Sequence, residues 1–143
     1  MTQLSPHFSL EELTHTDHRE LDNTPDPLTI VNLTRLAEFL ERVKVLLSGK
    51  PIMVNSAYRS PSVNEAVGSK PTSQHCLGCA ADIRVPGMTP DEVCKALIAS
   101  DLPFDQLIRE FDRWTHISVP NREGELPRRQ TLIIDREGTR KYE

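Results

Sequence analysis

The longest regular pattern in the sequence is an apolar repeat that runs from about Pro27 to Leu47. Its apolar residues recur every three or four positions, which is the spacing of one face of an α-helix. Gly49 follows the last of them and is a typical helix stop. The pattern therefore predicts one long helix. Its apolar positions are Ile30, Leu33, Leu36, Phe39, Leu40, Val43, Leu46 and Leu47.

Shorter signals place the other elements around this helix. Three helix starts are predicted from capping residues: Ser9 precedes a helix that begins at Leu10, Ser60 precedes one that begins at Pro61, and Thr89 precedes a third. Short apolar runs predict strands over 52–54, 80–85, 106–108, 114–119 and 131–134. Helices in the first part and strands in the last third predict an α+β domain with an antiparallel sheet.

Composition narrows the class of protein. The chain has 143 residues, 37% hydrophobic and 27% charged, which predicts one soluble domain over 1–143. No apolar stretch approaches the ~20 residues that cross a bilayer, so we expect no membrane insertion. The formal charge of -4, with both signs interspersed, argues against a nucleic-acid partner. The first residues lack a basic segment followed by an apolar run, so no secretory signal is expected.

Two polar residues interrupt apolar strands in a way that needs explanation. Asp82 lies in Ala80–Val85, and a carboxylate facing a core is costly unless it is paired. His116 also lies mid-strand, and His75 lies in the loop before Asp82. Together the three residues would supply two imidazoles and a carboxylate. Three protein ligands with a fourth position open to water are the pattern of a catalytic zinc site. The alternatives are an ion pair of Asp82 with Arg59 or Arg84, and core histidines bonded to backbone groups.

A catalytic zinc needs a base for its water, and Glu110 is the predicted residue. It precedes His116 by six residues, which is roughly 20 Å on one continuous strand. A hairpin centred near Arg113 is expected to place the two opposite each other, with Cβ atoms about 5 Å apart. Asp112 is the alternative base, but a fully solvated turn is a poor place to tune a carboxylate.

Arg59 ends a predicted strand just before a helix start. A guanidinium at such a position can bind a substrate carboxylate or stabilise an oxyanion. It can equally be the ion-pair partner of Asp82 or Glu110, and the two roles are compatible.

The cysteines do not complete a metal site by themselves. Cys76 and Cys79 form a C-x-x-C pair, but no second pair exists in a chain with three cysteines. We expect small, mostly buried thiols that are not zinc ligands, with a redox dithiol as the alternative.

These segments together resemble the M15 family of zinc peptidases. The resemblance rests on Ser73-x-His75-x-x-Gly78-x-Ala80-x-Asp82, then Glu110, then Trp114-x-His116. It begins at Leu4, continues through Asn55–Pro61 and ends at Ser118, so it covers most of the chain. The family includes D-Ala-D-Ala carboxypeptidases and phage endolysins, and the zinc site of Hedgehog domains is built similarly.

The resemblance implies a role for each site residue. It implies a Zn²⁺ ion on His75, Asp82 and His116, with Glu110 as general base. It implies that Arg59 polarises the scissile carbonyl and that Ser73 and Tyr58 lie close to the substrate. It also implies a central antiparallel sheet with helices packed on one side. Many members have Glu three residues before the last histidine, where this chain has Arg113, whereas others place Glu six before it, as here.

The implied function is hydrolysis of peptide bonds in peptidoglycan stem peptides, by a carboxypeptidase or an endolysin-type endopeptidase. Without a signal peptide, synthesis in the cytoplasm and action on the cell wall after release are expected, as for a phage endolysin acting as a monomer. The alternatives are a non-catalytic zinc-containing module that binds the cell wall, and a virion protein with an inherited fold.

Overall fold

The computed structural model describes residues 2–142. The helices are α1 (Leu10–Leu13), α2 (Pro27–Leu46), α3 (Pro61–Ala66) and α4 (Pro90–Ile98), with a 3₁₀ turn at Gln74–Leu77. The strands are β1 (Gln3–Ser5), β2 (Phe8–Ser9), β3 (Met53–Ser56), β4 (Ala80–Arg84), β5 (Gln106–Glu110), β6 (Trp114–Ser118), β7 (Gln130–Asp135) and β8 (Gly138–Lys141). Over residues 2–142, no helix combines the length and apolarity that a membrane crossing requires.

The helices begin where their capping residues predict. The side chains of Ser9, Ser60 and Thr89 each accept a hydrogen bond from a backbone N–H in the first turn that follows. At Thr89 the bond is reciprocal, since the Glu92 carboxylate accepts the backbone N–H of Thr89. These bonds satisfy N–H groups that have no partner inside the helix. The predicted starts of α1, α3 and α4 are therefore confirmed.

The main sheet has six strands in the order β3-β4-β6-β5-β7-β8. Neighbouring strands are antiparallel except β5 and β7, which run parallel. The parallel pair arises because the 119–129 connection passes beyond β5 before the chain re-enters the sheet as β7. The α+β class with a largely antiparallel sheet and helices on one side is confirmed. The β1–β2 hairpin and β8 were not predicted.

The two faces of the sheet have different surroundings. Ala81, Ile83 and Ile117 lie in the hydrophobic core with the buried residues of α2, including Leu33 and Leu36. Because side chains alternate along a strand, the residues between them face the other side of the sheet. That opposite face carries the polar residues that the sequence singles out.

Candidate metal centre and active-site cleft

Asp82 and His116 are direct partners across the β4–β6 pair. Asp82 Oδ1 lies 3.1 Å from His116 Nδ1 and 3.4 Å from His75 Nε2. The two imidazole rings meet edge to face, with centroids 5.1 Å apart. All three residues are buried, and each offers one ligand atom within 4.8 Å of the others. The predicted ligand set is thus brought together at one point on the sheet.

His75 is held by the loop that follows β3. Its Nδ1 lies 2.6 Å from the Ala57 carbonyl oxygen, and its own carbonyl accepts the Arg59 backbone N–H at 3.0 Å. The Ser73 hydroxyl accepts the His75 backbone N–H at 3.2 Å. A carbonyl oxygen only accepts hydrogen bonds, so Nδ1 carries the proton. In the neutral ring, Nε2 therefore presents a lone pair toward Asp82.

Gly78 lets the turn that carries His75 pack tightly against α2. Its φ of +76° lies in the left-handed region that glycine adopts most easily. A Cβ there would lie 3.0 Å from Thr29 Cγ2 and 3.1 Å from Leu33 Cγ. Glycine at position 78 thus allows both the left-handed backbone conformation and the close approach of this turn to α2.

The charges at this centre suit a divalent cation. Burial lowers the pKa of His75, although Asp82 opposes that shift, so the neutral ring is favoured. Burial alone would raise the pKa of Asp82, but the positive charge and hydrogen bonds that His75 and His116 supply when they are protonated hold it well below its ordinary value, so the carboxylate stays ionised. An ionised carboxylate and the lone pair of a neutral ring nitrogen repel at 3.4 Å unless a cation lies between them. Two imidazoles and a carboxylate match the ligands that zinc prefers, so these residues fit Zn²⁺.

Arg59 bonds the other oxygen of Asp82. Its Nη2 lies 3.0 Å from Asp82 Oδ2, and Nε donates to the Ser56 hydroxyl at 3.1 Å. Arg84, the other partner considered for Asp82, bonds Asn55 instead. Arg59 therefore orients Asp82 so that Oδ1 is left for the histidines. Its predicted role at the scissile carbonyl stays a prediction.

Glu110 lies on the same face of the sheet, but in a different register from the predicted one. It pairs with Trp114, whereas His116 pairs with Ile108. The expectation that Glu110 lies directly opposite His116 is therefore wrong. The turn occupies residues 111–113, with Phe111 and Asp112 at positive φ, so the hairpin closes between Glu110 and Trp114. Glu110 and His116 are diagonal neighbours, a separation of about 7–8 Å in antiparallel pairs.

The environment of Glu110 differs from that of an exposed carboxylate. Burial raises its pKa, and the negative charge of nearby Asp82 raises it further. A raised pKa brings a carboxylate closer to the range in which it can take and return a proton near neutral pH.

A cleft of about 530 Å³ connects these residues. Arg59, His75, Asp82, Glu110 and His116 all line it, and Ser73 lies at its wall as the resemblance implies. Tyr58 is not among its lining residues. The side chain of Tyr58 is buried, and its pKa is raised by burial and by the charges of Asp26, Cys76 and Asp22. The predicted closeness of Tyr58 to the substrate stays a prediction.

Several contributors to the site were not predicted. Val67, Gly68, Ser69 and Phe111 line the cleft, and all four lie outside the helices and strands, where no sequence pattern points to a site. The Ala57 carbonyl, which fixes the ring of His75, is a backbone group that a sequence pattern cannot single out.

The thiols take no part in the ligand cluster, which within residues 2–142 comprises only the two histidines and Asp82. Cys79 is buried, with Sγ 3.7 Å from Arg35 Nη2. Burial raises the pKa of both Cys76 and Cys79, which disfavours the thiolate form that binds metals. The prediction that neither thiol is a zinc ligand is consistent with this placement.

Comparison with protein families places the chain in a family of peptidases. The family model described as Peptidase M15 matches residues 6–118. The matched span includes the three clustered residues, Glu110 and Arg59. The chain belongs to the M15 peptidase family, which supports a peptidase of the metallopeptidase type. None of the curated proteins compared with the chain matches it.

Proposed function

We propose that this protein is a zinc-dependent peptidase that cleaves peptide bonds in the stem peptides of peptidoglycan. The observation that carries the proposal is the convergence of His75 Nε2 and His116 Nδ1 on Asp82 Oδ1, at 3.4 and 3.1 Å. These residues would hold the ion, and the Ala57 carbonyl fixes the tautomer of His75 that leaves Nε2 free. When bound, zinc supplies Lewis-acid chemistry at the scissile carbonyl and at the attacking water.

The remaining residues of the cleft supply the acid–base and electrostatic parts of hydrolysis. Glu110 takes a proton from the attacking water and returns it to the leaving amine, a role for which its raised pKa is suited. The Arg59 guanidinium lines the cleft and stabilises the negative charge that develops on the carbonyl oxygen. Its bond to Asp82 keeps it in place before substrate binds.

Family membership supports a peptidase, and the choice of substrate is our inference from the resemblance to cell-wall peptidases. Both a carboxypeptidase and an endopeptidase activity are compatible with an open cleft of about 530 Å³. We further propose that the protein acts as a monomer on the cell wall after its release from the cytoplasm, as a phage endolysin does.

A peptidoglycan digest tests the proposal. Purified peptidoglycan is incubated with zinc-loaded protein, and the released fragments are identified by mass spectrometry. We expect zinc-dependent fragments from one stem-peptide bond, and their masses distinguish terminal from internal cleavage. The matched control is the His75→Ala/His116→Ala protein. If the zinc-loaded protein binds peptidoglycan but releases no fragment, it is a binding module and the proposed activity is wrong.

A further inference from the structure

A second and larger cleft adjoins the active-site cleft. It measures about 650 Å³ and lies between the β5–β6 hairpin and the β7–β8 hairpin. Phe111 and Trp114 line both clefts. The two clefts therefore adjoin at these two residues, so an extended peptide bound at the candidate metal centre lies close to the second cleft.

The carboxylates of the second cleft are already paired within the chain. Asp112 bonds Arg109 at 3.0 Å. Asp135 forms two bonds with Arg140, at 2.7 and 2.8 Å, and Glu137 lies 3.7 Å from the same guanidinium. The negative charges that line this cleft are thus largely compensated.

Two arginines of this cleft have no such partner. Arg113 lies in the turn between β5 and β6, and Arg136 in the turn between β7 and β8, so they come from opposite walls. Both side chains are exposed, and neither forms an ion pair or a side-chain hydrogen bond with any residue from 2 to 142. Two guanidiniums are thus available to an anion in a cleft next to the metal centre.

We propose that Arg113 and Arg136 bind a carboxylate of an extended peptide substrate, at a residue beyond those that occupy the active-site cleft. This inference rests on the proposed function and narrows the substrate to an acidic peptide. A guanidinium is suited to the task because its planar donors match the geometry of a carboxylate. Because the anion must come from a chain that also reaches the metal, the site favours long acidic peptides over short neutral ones.

Trp114 provides a direct reporter of binding. It is the only tryptophan in the chain and lies in the wall shared by the two clefts. Its fluorescence is titrated in zinc-loaded Glu110→Gln protein, in which bound peptide is expected to stay uncleaved. The two probes are L-Ala-γ-D-Glu-L-Lys-D-Ala-D-Ala with a free α-carboxylate on its glutamate, and the same peptide with that carboxylate amidated.

We expect the free acid to bind about tenfold more tightly than the amide, the effect of one charge-assisted hydrogen bond. When Arg113→Gln and Arg136→Gln are introduced together into the Glu110→Gln protein, the ratio of the two dissociation constants should come close to one. Arg122→Gln is the matched control, since this exposed arginine lines a different cavity and should leave the ratio unchanged. Equal binding of the two peptides before these changes, or a preference that survives loss of both arginines, overturns the inference.

Cleavage is measured separately with the unaltered protein. If it cleaves neither peptide while the acid preference and its loss are observed, the proposed hydrolysis fails and the anion site stands. If it cleaves both peptides with the same kcat/KM, the anion site fails and the hydrolysis stands.

Discussion

Asp82 and His116 face each other directly across the central pair of strands, with Oδ1 3.1 Å from Nδ1. This pairing ties the candidate metal centre to the register of the sheet. A slip of one residue would turn either side chain into the hydrophobic core, because alternate residues face opposite sides of a strand. The apolar neighbours Ile83 and Ile117, which are buried in that core, hold the register that keeps the ligands on the cleft face.

Loss of a ligand should abolish stoichiometric zinc binding. In His75→Ala, the loss of Nε2 leaves one imidazole and one carboxylate. We expect zinc affinity to fall by more than the 10–100-fold typical of losing an outer-sphere hydrogen bond. Metal content after dialysis, measured by elemental analysis, checks this. His18→Ala is the control, since His18 lies outside the cluster beside Glu20. Full zinc content in the His75→Ala protein would show that the ligands are misassigned.

Arg59→Gln separates two roles of one guanidinium. The change removes a single positive charge, which both bonds Asp82 and lines the cleft. If the substrate role is real, turnover at saturating zinc should stay lower by about 10²–10³-fold, the cost of removing an oxyanion donor. Stem-peptide hydrolysis is measured across a zinc titration. Full recovery of turnover at high zinc would mean that Arg59 only orients Asp82.

The fold could be predicted where a local signal and the tertiary structure agree. The apolar repeat of α2 predicts that helix, and the capping residues of α1, α3 and α4 predict where those helices begin, each from residues close together in the chain. β8 has no such signal, since its four residues, from Gly138 to Lys141, contain no apolar side chain. It is a strand because it pairs with β7, and that partner lies in another part of the sequence. The parallel β5–β7 pair likewise depends on the path of a loop.

The same distinction between local sequence signals and tertiary structure applies to the site residues. Asp82 and His116 could be predicted because a polar residue in an apolar strand needs a partner. The register of the Glu110 hairpin could not, because it depends on positive φ at Phe111 and Asp112, residues that adopt it less readily than glycine. Tyr58 follows a motif, but its side chain is buried and is not among the residues that line the cleft. Side-chain direction in a loop is set by its surroundings, which the motif does not contain.

Gly78→Ala should destabilise the protein more than the same change at Gly49. Both glycines have φ near +77°, so both variants bear backbone strain of about 1–2 kcal/mol. At Gly49 a Cβ meets no atom within 4 Å, whereas at Gly78 it meets α2 at 3.0 Å. Overpacking adds about 1–3 kcal/mol to the loss in the free energy of unfolding of Gly78→Ala. Urea denaturation of the two variants measures the difference, and equal losses would show that the turn moves freely away from α2.

Asp105 should make stability depend on pH. Burial alone would raise its pKa, but hydrogen bonds from the side chain and backbone of Arg128 and from Gln74 outweigh burial, and the pKa is lowered. A carboxyl with a lowered pKa in the folded state stabilises the protein above its unfolded pKa, and that contribution is lost as pH falls through the folded value. Asp105→Asn should therefore cost about 1–3 kcal/mol at pH 7.

The cost of Asp105→Asn should shrink as the pH falls below the ordinary carboxyl value of 3.8. Thermal unfolding from pH 7 to pH 3 provides the comparison. Asp101→Asn is the control, because this side chain is exposed and has no hydrogen-bond partner among residues 2–142. A cost for Asp105→Asn that is constant over this range would contradict the charged pairing with Arg128.

The most direct measurement compares turnover and zinc content in Glu110→Gln and in the unaltered protein. Glutamine keeps the size of the side chain but cannot accept the proton. Turnover on a stem peptide should fall by about 10²–10⁴-fold, and zinc content should remain at one ion per chain, because Glu110 is not in the ligand cluster. Glu38→Gln, an exposed change on α2, should alter neither. Unchanged turnover in Glu110→Gln, with zinc bound, would show that Glu110 is not the base.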